Sequence, residues 1–309
     1  MIRPFEPADA GAVAALLHED DPPEAVTGAG ILHWHEATPE RAGARSWVAV
    51  EGGAVAGWMR AALRWATSAE GVGELWGFVR PSLRRRGLGA ALFDAAAVHL
   101  EGMGARVLES WSLGEAGGRF LAARGFRPAR RRLVYRLDLP AGVSGLEELR
   151  AAREAEGYRL VPLAEAADRA RELHAVDAAA TADVPATYAE DDFRYEDWVR
   201  EALRHPQLSR AGSFVVLAGE RPVAYALLHV DPAARLAANE MTGTHRDHRR
   251  RGLARLAKLA AIAWAQEQGL EGILTGNDEE NAGIVGLNES LGYRVAAVET
   301  EYLRPEATD

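Results

Sequence analysis

The pentapeptide RRRGL occurs twice in this chain, at 84–88 and again at 249–253. Each copy precedes an alanine-rich stretch with helical apolar spacing, ALFDAAAVHLEGMG in one case and RLAKLAAIAWAQEQG in the other. Between a strand and the first turn of a helix, such a loop has the chemistry of an anion cradle. The first helical N–H groups have no partner inside the helix and carry the positive end of its dipole. Glycine lets the backbone approach a bulky anion and adopt conformations that other residues avoid. A pyrophosphate would be held mainly by main-chain amides, with arginines adding local charge. No GK[ST] follows either copy and no GxGxxG is present, which sets aside the Walker loop and the dinucleotide fingerprint. The plainer reading is a basic helix start with its arginines in solvent, and it suits a single copy better than a duplicated one.

The elements that must position these loops also come in pairs. Upstream, IRPFEPADAGAVAALL from Ile2 resembles YRLVPLAEAADRARELH from Tyr158. Downstream, GFRPARRRLVYRL from Gly125 resembles GYRVAAVETEYLR from Gly292. Three collinear matches indicate two copies of a unit of about 150 residues. Each copy reads as a short strand (Ile2 to Phe5; Tyr158 to Val161), a helical stretch, and two strands turning at Gly52-Gly53 or Gly219-Glu220. A third strand follows (Glu74 to Arg80; Asn239 to Thr244), then the loop, a long helix closed by glycine, a strand, a short helix and a final strand. Residues 1–140 and 158–309 are the expected domains, with 141–157 a linker carrying an extra helix.

At 309 residues the chain is long enough for two domains that each bury a core. Its formal charge of −9 argues against a broad nucleic-acid surface but permits a local basic site. The absence of cysteine removes disulfides, thiolate metal sites and a cysteine nucleophile. The opening MIRPFEPADA shows no apolar run after a basic region, so a signal peptide is not expected. No stretch approaches the roughly 20 apolar residues of a membrane span. The expectation is a cytoplasmic protein, monomer or homodimer, without nucleic-acid or membrane partners. His33-Trp34-His35 and His245 with His248 look like metal pairs, yet a third ligand is lacking and no metal site is expected.

The pattern R/Q-x-x-G-x-G/A between strand and helix resembles the acetyl-coenzyme A loop of GNAT-type N-acetyltransferases. The first copy matches at Arg84, Gly87 and Gly89, with Arg85, Arg86 and Leu88 between them. The second matches at Arg249, Gly252 and Ala254, with Arg250, Arg251 and Leu253 between them. The second is similar over a longer stretch, TGTHRDHRRRGLARLAKLAAIAWAQ and then TGNDEENAGIVGLNESLGY. The resemblance covers essentially the whole chain. It implies two tandem GNAT units of α/β class, each a mixed, partly splayed sheet flanked by helices. It also implies acetyl-coenzyme A (acetyl-CoA) as cofactor. The third strand would pair with pantetheine near Thr242, Gly243 and Thr244, or near Phe78 and Val79 in the first copy. The loop from Arg249 to Ala254 would hold the pyrophosphate. Asn277 and Asn281 resemble the family's asparagines near the cofactor, and Asn281 reads equally well as a helix N-cap. Length and layout are also similar to the mycothiol synthase family. That family ends its motif with a tyrosine-bearing helix where this chain has GLNESLGY, so its reaction is not carried over.

The activity implied is acetyl transfer from a thioester to the primary amine of a small molecule. Such chemistry asks for an acceptor that has lost its proton, donors for the oxyanion and a departing thiolate. In this superfamily a carboxylate on the strand leading to the loop often takes the proton, and Glu240 stands there; an ordinary surface carboxylate is the plainer alternative. Counting back from the loop arginine puts Leu75 at the matching place in the first copy. Many members carry a tyrosine acid four residues before the closing glycine, where this chain has Leu121 and Asn288. Asn288 as a hydrogen-bond donor, Tyr302 or solvent would then take that part. ESWSLGEAGGRFLAARGF in the first copy lacks both asparagines, so the C-terminal unit is the expected catalyst and the N-terminal one a degenerate partner. The stretch DVPATYAEDDFRYEDW, 183–198, is either a pocket for a cationic amine or a solvated helix start with Trp198 in the core. Two rivals stand beside this reading, a non-catalytic acyl-CoA binding or sensing protein and an acetyltransferase of protein amino termini or lysines.

Overall fold

The computed structural model describes residues 1–20, 22–142 and 144–305. Its strands are β1 (Ile2–Pro4), β2 (Arg45–Glu51), β3 (Ala54–Leu63), β4 (Val72–Val79), β5 (Val107–Leu113), β6 (Arg127–Asp138), β7 (Tyr158–Pro162), β8 (Phe214–Ala218), β9 (Arg221–Asp231), β10 (Leu236–Thr244), β11 (Gly272–Asp278) and β12 (Arg294–Pro305). Its α-helices are α1 (Ala10–Leu17), α2 (Gly28–Ala37), α3 (Leu88–Gly102), α4 (Gly114–Ala122), α5 (Leu146–Ala155), α6 (Ala170–Thr181), α7 (Tyr195–Trp198), α8 (Leu253–Glu267) and α9 (Ala282–Ser290). The long helices after the two loops close at Gly104 (φ 81°) and Gly269 (φ 68°), where a left-handed residue ends the helix.

Two compact units form, and they do not follow chain order. Unit 1 holds Met1–Arg132, Thr187–Glu201 and the described chain from Ala297 onward; unit 2 holds Leu133–Ala186 and Ala202–Ala296. Strands run β1-β2-β3-β4-β5-β12 in unit 1 and β7-β8-β9-β10-β11-β6 in unit 2. The sixth place in each sheet is therefore taken by the closing strand of the other repeat. In unit 1, β12 pairs antiparallel with β5 from Leu113↔Glu299 to Val107↔Pro305.

Each sheet splays at its centre. β4 and β5 run parallel over three residue pairs only, Val72↔Val107 to Glu74↔Glu109. β10 and β11 do the same from Leu236↔Gly272 to Ala238↔Leu274. Beyond these pairs the two strands part, and the loop and helix that follow β4 or β10 stand at the opening.

Burial fixes how the helices sit on the sheets. In unit 1, α3 turns Leu92, Phe93, Ala96 and Leu100 onto Ala61, Leu75 and Leu108, while α1 places Val13, Leu16 and Leu17 beside Val48 and Trp58. Helix α8 of unit 2 is apolar nearly all round, as befits a helix enclosed on several sides. Leu259, Ile262 and Ala265 pack in one cluster with Tyr135 and Ile273, and Leu253, Leu256 and Ala260 in another with Tyr158 and Val216. The extra helix expected after residue 141 is α5, and its Leu146 and Leu149 pack against both clusters.

Candidate active site

Both arginine–glycine loops have the same shape. Arg85 (φ 65°) and Gly87 (φ 84°) are left-handed in the first, Arg250 (φ 60°) and Gly252 (φ 73°) in the second. A left-handed arginine is uncommon, so its recurrence at matching places marks a built loop. Gly87 and Gly252 are the N-caps of α3 and α8 and provide no side-chain cap. The first-turn N–H groups of both helices thus face outward from a concave backbone, which fits an anion such as a pyrophosphate.

The three arginines of each loop do different work. The first turns inward. Arg84 Nε donates to the main-chain oxygen of Val79 at 2.9 Å, with its guanidinium 5.0 Å over the Phe78 ring. Arg249 Nε donates in the same way to Thr244 at 3.1 Å and reaches Ala179 O at 3.1 Å and Asp183 at 2.6 Å. Hydrogen bonds from Arg246 and Arg249 pull the Asp183 carboxyl down to about 2. Arg86 pairs with Glu51 at 2.9 Å. Arg85, Arg250 and Arg251 make no side-chain hydrogen bond or ion pair among the described residues, which leaves them available to an anion.

The strands entering the loops offer main-chain groups to the splay. His245 N–H bonds Val223 O at 2.8 Å, and Arg80 N–H bonds Ala56 O at 2.9 Å. Alternation along an antiparallel pair then turns Gly243 toward β9 and Thr242 and Thr244 to the open side. In unit 1 the same alternation turns Phe78 toward β3, so of the two residues expected near pantetheine only Val79 faces the opening. A Cβ on Gly243 would come within 2.9 Å of Ala180 Cβ and Tyr225 Cε1, so α6 packs on the strand at that point.

The two units differ at one residue. On β10, Asn239 faces Leu228 and Met241 faces Leu227, consecutive positions on β9, so Glu240 is an extra, bulged residue. Strand β4 is unbulged, with Leu75 opposite Ala61 and Trp76 opposite Arg60. Register therefore matches Leu75 with Asn239 and Trp76 with Met241. Counting back from the loop had set Leu75 against Glu240, but the bulge adds a residue and Glu240 has no counterpart in unit 1. A bulge re-aims a side chain and frees main-chain groups from the ladder, and bulges recur beside active sites. The Glu240 side chain is 49% exposed, with Oε1 3.8 Å from His229 Nδ1. The His229 ring stacks on that of His205 at 4.0 Å.

Other expected residues lie elsewhere. Asn288 is fully buried and donates from Nδ2 to Asn277 Oδ1 at 2.6 Å, so its amide holds Asn277. Asn281 occupies the N-cap of α9 without a side-chain capping bond. Tyr302 is in unit 1, opposite Ser110, with its hydroxyl 2.3 Å from where a Gly118 Cβ would stand. The strand exchange thus places Tyr302 outside the unit that carries Glu240. The stretch 183–198 divides between the two units. Asp183 stays in unit 2, whereas the chain from Thr187 joins unit 1. There Asp191 accepts from Ser68 at 2.6 Å, Phe193 meets Trp65 edge-on, and Trp198 is core. His33 Nε2 is 3.3 Å from Glu201 O, and His248 Nδ1 is 3.0 Å from the Tyr158 hydroxyl. Among the described residues no group of three side chains is placed to hold a metal. No helix among them is long and apolar enough to cross a membrane.

Sequence reasoning passed over Asn239, His229 and Lys258. Lys258 did carry a signal, as the lone charge inside LAKLAAIAWA on a helix apolar on every side. Comparison with known proteins bears on the whole arrangement. Over 231 residues the chain is 29% identical to mycothiol acetyltransferase of Thermobispora bispora, covering 73% of this chain and 74% of that one. A tandem GNAT protein from the clavulanic acid biosynthesis pathway aligns over 100% of this chain and 99% of its own, with TM-score 0.72 and 20% identity. A GCN5-related N-acetyltransferase from Sphaerobacter thermophilus aligns over 100% and 97%, with TM-score 0.67 and 18% identity. At these identities the two structures show a shared fold. The sequence pattern of the acetyltransferase (GNAT) family matches residues 13–126 and again 164–293, once in each repeat. The chain therefore belongs to the GNAT family of acetyltransferases, an acyltransferase built as two tandem units.

Proposed function

We propose that this acyltransferase acetylates a primary amine of a small molecule from acetyl-CoA, and that unit 2 does the chemistry. The observation that carries the reading is the bulge in β10, which sets Glu240 at the splay directly ahead of an intact anion loop. Unit 1 keeps the loop but has an unbulged β4 with no carboxylate at that place, so it serves as a binding or structural partner.

Acetyl-CoA bound in unit 2 would supply the acetyl group as a thioester. Arg250, Arg251 and the open N–H groups of α8 hold the pyrophosphate, while Thr242 and Thr244 offer main-chain groups to the arm that follows. Glu240, half exposed, takes the proton of the acceptor ammonium directly or through water. Main-chain N–H groups released by the bulge stabilise the oxyanion. Position 288 has no acid and its amide is committed to Asn277, so the departing thiolate takes its proton from solvent.

Chromatographic measurement of coenzyme A release tests this with a panel of small primary amines. One relative bears the name mycothiol acetyltransferase, so the unacetylated precursor of mycothiol belongs in the panel. Release that depends on at least one amine is expected. Binding of acetyl-CoA with no release across the panel would instead favour a protein that only binds or senses the cofactor.

A further inference from the structure

The bulge at Glu240 is held by a side chain that the proposed chemistry does not use. Asn239, 4% exposed, donates from Nδ2 to Leu227 O at 2.8 Å and to Met241 O at 3.2 Å. It thus spans the bulge and bonds a carbonyl of the neighbouring strand. Its Oδ1 accepts from Thr242 Oγ1 at 3.0 Å and from Lys258 Nζ at 2.5 Å. Its main-chain oxygen accepts from Thr275 Oγ1 at 2.9 Å, on the strand across the splay. Every hydrogen-bonding site of the amide is filled.

Lys258 and the two carbonyl oxygens together fix which way round that amide sits. A flipped Asn239 would turn Oδ1 toward two carbonyl oxygens and Nδ2 toward the lysine. Lys258 is 1% exposed on α8, and its ammonium position lies 4.8 Å from the centre of the Tyr293 ring. Burial pushes its pKa down to about 7. A fully buried lysine is costly to keep, and replacing a buried charge by an apolar residue of similar volume is often neutral or stabilising. In unit 1 the residue matched to Asn239 is Leu75, and that strand has no bulge.

We propose that Lys258 is a positioning residue for acyl transfer, holding through Asn239 the bulge that presents Glu240. This rests on the reading of unit 2 as the catalytic unit, and its test separates the two. Two variants of the full chain, Lys258→Met and Lys258→Gln, are compared with Glu240→Gln. Lys258→Met keeps the volume and removes the donor. It is expected to lower kcat about tenfold or more, to leave KM for acetyl-CoA within about twofold, and to leave thermal stability equal or higher. Amide ¹H–¹⁵N shifts of residues 239–242 should move while those of β4 stay in place. Lys258→Gln can still donate to Asn239 and should recover part of the lost turnover.

Wild-type kcat and unmoved amide shifts in Lys258→Met would overturn the proposal. So would equal losses in both lysine variants, because volume and not the hydrogen bond would then matter. If Glu240→Gln keeps full turnover, the base assignment fails, and the amide shifts still decide whether Lys258 sets the bulge. A slow Glu240→Gln beside a fully active Lys258→Met removes the lysine alone.

Discussion

Arg249 donates from Nε to the main-chain oxygen of Thr244 at 3.1 Å, closing the loop onto the strand that feeds it. Two further bonds, to Ala179 O and Asp183, fix the guanidinium to α6 and to the chain just beyond it. Arg249 therefore ties the loop to its surroundings, and on the proposed reading the arginines after it are the ones left to meet an anion.

Removal of the two kinds of arginine should separate these roles. Arg249→Ala loses three hydrogen bonds and is expected to cost about 1–3 kcal/mol, seen as a fall of several degrees in Tm. Arg251→Ala should leave Tm unchanged and weaken acetyl-CoA binding by roughly 3–10-fold, in line with one charge-assisted contact. Thermal scans paired with calorimetric titration would show it. The reverse pattern, with Tm lost on removing Arg251, would mean that the inward and outward roles have been exchanged.

Two glycines of unit 2 should fail for different reasons. A methyl at Gly243 would press within 2.9 Å of Tyr225 Cε1, and that ring is anchored by its hydroxyl bond to Asp177. Gly243→Ala should therefore destabilise by about 1–3 kcal/mol through overpacking. At Gly252 the nearest atom is Leu149 Cδ1 at 3.6 Å, but φ is 73°. Gly252→Ala should cost about 1 kcal/mol in stability and act mainly on acetyl-CoA affinity, because it strains the cradle itself. Urea denaturation and binding on the same two samples would distinguish the effects.

Stability should respond to pH in two windows of opposite slope. Burial pushes Glu201 up to about 7, helped by Glu74, Glu190 and Asp197 and opposed by Arg60. Between about 4.5 and 7 the folded state holds the extra proton, so this contribution is lost as pH rises. Lys258 is the converse case, pushed down to about 7, so the unfolded state holds the extra proton from there to about 10.5 and stability rises with pH. One proton corresponds to about 1.4 kcal/mol per pH unit. Glu201→Gln should flatten the fall between pH 5 and 7, and Lys258→Met the rise between pH 7.5 and 9.5. Unaltered slopes in urea titrations would refute the assignment.

Local pattern made much of this molecule legible. The loops, the helices that follow them and the extra helix α5 lie where turn residues and apolar spacing put them. Placing the long-range parts needed coordinates. Nothing in the spacing of β6 or β12 announces that each completes the sheet of the other repeat, which puts Tyr302 in unit 1; residues 187–201 also belong to unit 1, whereas Glu240 belongs to unit 2. The bulge was hidden by a count, since an inserted residue shifts correspondence by one without changing the look of either strand. The burial of Asn288 against Asn277 was likewise not legible, because its position four residues before a closing glycine says nothing of what its side chain meets.

The claim that unit 2 acetylates through the bulged carboxylate is tested most directly by turnover of Glu240→Gln beside its acetyl-CoA affinity. At neutral pH kcat should fall about 100-fold or more, the scale of a lost general base, while the dissociation constant for acetyl-CoA stays within about twofold. Wild-type turnover with unchanged affinity would contradict the account, because the one residue that distinguishes β10 from β4 would then have no part in the chemistry.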